Sequence, residues 1–291
     1  MSETPIGHVA DTAFWVAAYR ANESARPDAL FHDPLAARLV DVRGRAIADQ
    51  IADGQQVAWV VVMRTCIIDD LIRDAVAGGC DTILNLGAGL DTRPYRMELP
   101  PSLRWIEVDF AATIDFKNEQ LRDEKPRCQL ERHAVDLGDA AARRALFADV
   151  NARAQKVFVL TEGVVGYLSN DEVAALAADL RAQPRFACWV LEYVSSQFRR
   201  IERFMSRRRR RQMANAPIRF RPHDWRAFFA ARGWVPREIR FLVAESERHH
   251  RPPPVSRWLR FVFRVLFRNQ RAAMRENYGF ALMERSRSDA G

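Results

Sequence analysis

Short apolar runs of strand length alternate with amphipathic segments of helical length through the middle of the chain. That alternation restricts the fold more than any other feature. Strands are predicted at 81–86, 103–109, 128–135, 156–160 and 186–194, a sixth within 234–244, and a closing one near 278–283. Helices are predicted between them at 111–122, 139–149, 169–182 and 223–232. Strands separated by helices of this length pair in parallel, with helices covering both faces of one sheet. Ser169 with Glu172 has the spacing of a capping box, and Gly78-Gly79 closes a longer helix over 55–77. Two further helices are predicted in front, at 11–20 and 33–40, with Pro34 early in the second. No linker divides the 291 residues. The expected organisation is one α/β domain: a helical cap over 1–79, a ligand-binding core over 80–195, a variable basic region over 196–275, and a closing strand and tail over 276–291.

In an open parallel sheet, ligands bind beyond the carboxyl ends of the strands. The first strand runs directly into Gly87-Ala88-Gly89-Leu90-Asp91-Thr92-Arg93-Pro94. Glycines there allow a tight turn and a close approach of backbone to ligand. A G-x-G turn alone can be a mere connector. Acids at the ends of the next strands, Glu107 and Asp109, then Asp136, argue for a site. Glu107 and Asp109 fall on one face of their strand, and Asp109, nearer the strand end, is the better acceptor for ribose hydroxyls. Asp136 is placed to accept from an adenine amino group. A pyrophosphate wants a third glycine and no acid beside it. Asp91 suits an ammonium instead, and Arg64 or Arg93 suits a carboxylate. The set therefore favours S-adenosyl-L-methionine over a dinucleotide.

The stretches DTAFWVAAYRANES, FHDPLAARL, ILNLGAGLDTRPYR, WIEVDF and LTEGVVGYLS resemble the leucine carboxyl methyltransferase and polyketide O-methyltransferase family. The resemblance covers roughly residues 10–195. It implies a class I methyltransferase (Rossmann-like) fold, a seven-stranded, mostly parallel sheet with helices on both faces, N-terminal helices and late insertions. It implies further that Arg64 grips the methionyl carboxylate, that Gly87 and Asp91 lie against the methionyl moiety, that Asp109 takes the ribose, and that Glu162 lies on the amine side. Two departures stand out: Phe110-Ala111 follow Asp109 without the family's Pro, and Asp136-Leu137-Gly138-Asp139-Ala140 lacks its Trp.

Methyl transfer to oxygen is chiefly a matter of positioning, and only a weakly acidic acceptor needs a base. None of the six histidines sits in a strand-end motif, so an already ionised carboxylate is the favoured acceptor of a small-molecule or peptide-like substrate. A phenol or hydroxyl of an aromatic, polyketide-like metabolite is the alternative, and non-catalytic cofactor binding is another. Candidates for the acceptor side are Tyr167, Tyr193 and His32, together with Tyr19 and Arg20 on the leading helices. No metal site is expected.

Charge is unevenly spread. Residues 1–195 hold 21 Lys or Arg against 29 acids, and 196–291 hold 24 Arg against 8 acids. A basic helix is expected over 196–213, with Arg207 to Arg211 uninterrupted. Another is expected over 256–275, with Arg257, Arg260, Arg264, Arg268, Arg271 and Arg275 in one stripe beside aromatic residues. The plainest reading is a helix docked with Arg in water; an acceptor-side lid and a minor membrane-surface contact are alternatives. Nucleic acid is disfavoured, since no aromatic platform or binding motif accompanies the Arg run. Cysteines 66, 80, 128 and 188 show no metal or redox spacing, and no apolar run approaches the about 20 residues needed to cross a bilayer. With no signal-peptide pattern at the start, a cytoplasmic location is expected.

Overall fold

The computed structural model describes residues 11–40, 54–195, 217–254 and 275–286. The expected helix over 196–213, and nearly all of that over 256–275, fall outside them. Seven strands form one sheet: β1 (Thr82–Leu86), β2 (Arg104–Asp109), β3 (Gln129–Ala134), β4 (Val157–Leu160), β5 (Phe186–Val194), β6 (Trp234–Phe241) and β7 (Tyr278–Arg285). Their order is β3-β2-β1-β4-β5-β7-β6. Strands β3 to β5 pair in parallel, and β7 enters antiparallel between β5 and β6. This is the class I methyltransferase arrangement expected from the sequence.

Alternation along the strands builds two cores, one on each face. On one face Leu84 and Leu86 of β1 and Val157 and Val159 of β4 pack with Phe147, Leu176, Trp189 and Trp234. On the other, Ile83, Trp105, Phe158 and Leu160 meet Met63, Ile67 and Leu71. Those last three lie on α3 (Gly54–Ala77), which follows α1 (Asp11–Ser24) and the single turn α2 (Ala36–Leu39). Helices α1 and α3 share a third cluster with the residues around α2, including Ala17, Leu39 and Val61. The four strands of the sheet's centre need cover on both sides, and these clusters supply it.

After β1 come α4 (Arg93–Arg96), α5 (Ala111–Gln120), α6 (Ala140–Arg153), α7 (Asn170–Arg181), α8 (Trp225–Ala230) and α9 (Leu242–Arg248). The Ser169–Glu172 capping box forms at the start of α7. Asp224 caps α8 by accepting from Ala227 N at 3.0 Å. The sixth strand lies within its expected 234–244, and helix α9, which follows it, was not anticipated from the sequence. β6 stops at Phe241 and the apolar run Leu242-Val243-Ala244 turns helical, with Leu242 buried. Helix α2 is shorter than its expected 33–40, because residues 31–35 form turns that Asp33 fixes by accepting from Ala36 N. The cysteines are free thiols, three buried and Cys188 half-buried. Among the described residues no helix is long and apolar enough to cross a membrane.

Candidate active site

The carboxyl ends of β1, β2, β4 and β5 converge on one rim. The turn after β1 is built on left-handed glycines, Gly87 at φ 67° and Gly89 at φ 47°. A Cβ at Gly87 would lie 2.3 Å from Val164 Cγ2, so no side chain fits there. Gly87 N and Ala88 N both donate to Val108 O, which ties the turn to β2. Gly89 N donates to Asp109 Oδ2 at 2.7 Å, and Phe110 N donates to Asp109 Oδ1 at 2.8 Å. Each carboxylate oxygen keeps a further acceptor position, and Asp109 is half-buried. Glu107 is spent otherwise: fully buried, it pairs with Lys117 and Arg132, each at 2.8 Å. Of the two acids on that strand, only Asp109 therefore faces the turn. Asp136 is exposed and accepts from Gly138 N at 2.8 Å.

A buried charge network underlies the turn. The Arg93 guanidinium, 3% exposed, reaches Asp69 Oδ1 at 2.7 Å and both Asp91 Oδ2 and Glu162 Oε2 at 2.8 Å. Asp69 is shared with Arg96 at 2.6 Å. Asp91 accepts from Asn85 Nδ2 and Arg93 N as well. Burial opposes ionisation of Asp91, yet Arg93, Lys117 and Arg20 outweigh it and hold the carboxyl well below its usual range. Glu162 is likewise opposed by burial and then pulled down by Arg93 and Arg64.

Arg93 was a candidate for a ligand carboxylate, but three acids and its depth commit it to the scaffold. Asp91, expected to meet an ammonium, accepts from Arg93 and Asn85, and Glu162 is paired in the same way by Arg93 and Arg64. Arg64 Nε lies 2.7 Å from Glu162 Oε1 without donating to it, and among the described residues it finds no other hydrogen-bond acceptor. Gly163, at φ 71°, holds the left-handed conformation that favours glycine in the turn after β4.

The acceptor-side candidates divide. Tyr167, on a short 3₁₀ turn (Val165–Tyr167), lies beside Arg64 and Thr12, and burial pushes its phenol up. Tyr193 packs edge-on between Trp225 and Phe241. Tyr19 is 6% exposed, edge-on to Trp15 in the helical cap. Arg20 is 7% exposed, and its Nε pairs with Asp33 at 2.8 Å while Nη2 donates to Leu90 O at 2.5 Å. It braces the turn from below rather than holding an acceptor. His32 is exposed. The group Asp70, Glu245 and His249 has metal-ligand spacing, but Arg240 and Arg248 already pair with both its carboxylates.

Sequence reasoning passed over Glu192, near the end of β5. Gly163 N donates to its Oε1, while Oε2 is buried and has no partner among the described residues. Burial pushes the carboxyl up to about 7, against the pull of Gly163 N–H and Arg64. The signal was available, since an acid at a strand's carboxyl end is what singled out Asp109.

The orphaned Arg64 Nε, the unpartnered Thr92 Oγ1 in the turn, and the side-chain-excluding turn at Gly87 mark a cradle for a ligand. S-adenosyl-L-methionine fits the donor set: a guanidinium for its carboxylate, Glu162 for its ammonium, and Asp109 for its ribose.

The leucine carboxyl methyltransferase family profile matches residues 13–181, more than half of the chain. A Streptomyces avermitilis protein, provisionally named an S-adenosyl-L-methionine-dependent methyltransferase, is 38% identical over 182 residues, 59% of this chain and 64% of its own. A Mycobacterium marinum protein with the same provisional name is 28% identical over 287 residues, 85% of this chain and 88% of its own. The chain thus spans under two thirds of the first curated relatives it matches. A solved structure described as a methyltransferase from Thermobifida fusca shares the fold at TM-score 0.58 and 13% identity, covering 94% of each chain. The solved structure of a DUF574 family protein from Streptomyces avermitilis shares the fold at TM-score 0.50 and 16% identity, covering 94% of this chain and 97% of that one.

Proposed function

The chain belongs to the leucine carboxyl methyltransferase family, and we propose that it transfers the methyl group of S-adenosyl-L-methionine to an oxygen of a small-molecule acceptor. The observation that carries the reading is the turn from Gly87 to Gly89 tied to Asp109, with Arg64 and Glu162 on its far side. When bound, the cofactor supplies an electrophilic methyl carbon on a cationic sulfur. Asp109 accepts from the ribose hydroxyls through the lone pairs its backbone bonds leave free. Arg64 offers its guanidinium to the methionyl carboxylate, and Glu162 neutralises the ammonium. Arg93 and Asp69 hold Glu162 in place, so the charge that meets the cofactor is set before it arrives. The rest of the rate comes from holding the acceptor oxygen in line with the methyl carbon.

A carboxylate acceptor, with a pKa of about 4, needs no base, and the family's name supports that reading. The case for it from sequence was that no base stood in a strand-end motif. Glu192 supplies one, which favours a second reading: an alcohol or phenol of an aromatic, polyketide-like metabolite. Incubating the protein with cell extract and methyl-labelled S-adenosyl-L-methionine tests both by mass spectrometry. A product heavier by one methyl and stable to base is an ether, whereas a base-labile one is an ester. No labelled product other than from spontaneous decay sinks the enzymatic reading and leaves cofactor binding alone.

A further inference from the structure

We infer that Glu192 is the proton acceptor for a hydroxyl-bearing methyl acceptor, whose O–H is directed at Glu192 Oε2. This rests on the methyl-transfer reading and adds the acceptor class and the residue that activates it.

Placement comes first. The sheet order β2-β1-β4-β5 sets the rim in sequence: Asp109 and Gly87 at β2 and β1, Glu162 after β4, and Glu192 on β5. The cofactor's ribose and methionyl partners occupy the first three positions. Crossing the sheet in the same direction, Glu192 on β5 follows Glu162, the residue on the methionyl side. Leu160, the last residue of β4, pairs with Val190, so Glu192 stands one pleat beyond the end of β4.

Its bonding points the same way. Oε1 is fixed by Gly163 N–H, which sets the orientation of the carboxyl. Oε2 is buried and has no partner among the described residues. A buried carboxyl oxygen left unpaired is costly, and such orphans in folded proteins call for a ligand or a catalytic role. Four charged or titratable groups face it from neighbouring elements: Arg64 from α3, Glu162 from the turn after β4, Tyr167 from the 3₁₀ turn, and Tyr278 from β7. Both phenols are pushed up by burial, so they stay protonated and do not compete as bases. Glu192, pushed up to about 7, is matched to proton transfer near neutral pH.

The step balances. The acceptor O–H bond breaks with its electron pair left on oxygen, and the proton passes to Glu192 Oε2. The acceptor oxygen bonds to the methyl carbon as the carbon–sulfur bond breaks and its pair stays on sulfur. The negative charge of Glu192 and the positive charge of the sulfonium vanish together.

Glu192→Gln keeps the shape, and its amide oxygen can still accept from Gly163 N–H. The full chain and this variant are first titrated with S-adenosylhomocysteine by calorimetry, and both are expected to bind. Tritiated methyl transfer to 4-methylphenol is then expected to fall by about 10²- to 10⁴-fold in the variant, with partial recovery in Glu192→Asp. The wild-type rate is expected to rise with an apparent pKa of about 7, and that limb to disappear in the variant. Independently of turnover, carbon-13 NMR of carboxyl-labelled glutamate is expected to contain one resonance, absent from Glu192→Gln, that titrates near 7. Undiminished transfer in the variant, a resonance in the ordinary carboxylate range, or no transfer to 4-methylphenol by a wild type that binds S-adenosylhomocysteine overturns the assignment. A wild type that fails to bind S-adenosylhomocysteine overturns the methyl-transfer reading with it.

Discussion

Replacing Arg93 by Met separates a scaffold from a ligand contact. The Arg93 guanidinium contacts three acids at 2.7–2.8 Å, and its side chain is 3% exposed. Met fills much of the same volume but leaves Asp91 and Glu162 without their shared cation, while Asp69 keeps Arg96. Removing one partner from a buried ion network costs about 3–5 kcal/mol. For a domain of this size that corresponds to a fall in melting temperature of roughly 6–20 °C. The three acids have carboxyls held below their usual range, so they stabilise the fold above that range and lose the effect as pH falls through it. The gap between wild type and Arg93→Met is therefore widest near neutrality and narrows below about pH 4. Arg64→Met is the control. Arg64 is 13% exposed and pairs with Glu162, which Arg93 also holds, so its loss costs about 1–2 kcal/mol of stability. Its affinity for S-adenosylhomocysteine is expected to fall by about tenfold or more. Thermal melts across pH and calorimetry on both variants decide the matter. An Arg93→Met protein that melts like wild type yet no longer binds S-adenosylhomocysteine refutes the reasoning.

Three further outcomes are expected. Glu107→Gln strands the fully buried Lys117 and the half-buried Arg132, costing about 3–5 kcal/mol in chemical denaturation while leaving S-adenosylhomocysteine affinity unchanged in the folded fraction. Gly87→Ala puts a Cβ in a left-handed residue 2.3 Å from Val164 Cγ2 and costs about 1–3 kcal/mol, part of it recovered in Gly87→Ala with Val164→Ala. Glu192 has its folded pKa raised to about 7, so its contribution is fully present below the ordinary carboxylate range and lost as pH rises through 7. Wild-type stability should fall by up to about 3 kcal/mol across that window, and Glu192→Gln should flatten the fall in urea titrations at pH 5 and 8.

What the sequence disclosed depends on whether the information is local. Every strand lies within a few residues of its prediction, because apolar runs bounded by Gly and polar residues are local signals. Helix α9 was missed because Phe241-Leu242-Val243-Ala244 is apolar throughout, and a short apolar run has no period to separate strand from helix. The turn glycines and Asp109 were legible because a strand end places them. Arg93 was not, because its role depends on Asp69, 24 residues away on α3, and on Glu162, 69 residues away after β4. Arg20 was misjudged for the same reason, its partners Asp33 and Leu90 being set by tertiary packing. Glu192 had the local signal, but only the position of β5 in the sheet gives it meaning.

The central claim is that the turn at Gly87 and Asp109 holds a sulfonium-bearing amino-acid nucleoside and not a dinucleotide. Calorimetric titration of the full chain with S-adenosylhomocysteine, and separately with NAD, addresses it directly. One S-adenosylhomocysteine per chain is expected, with affinity lowered by about tenfold or more in Asp109→Asn and no heat from NAD. Binding of NAD without S-adenosylhomocysteine, or S-adenosylhomocysteine binding unaffected by Asp109→Asn, would contradict it.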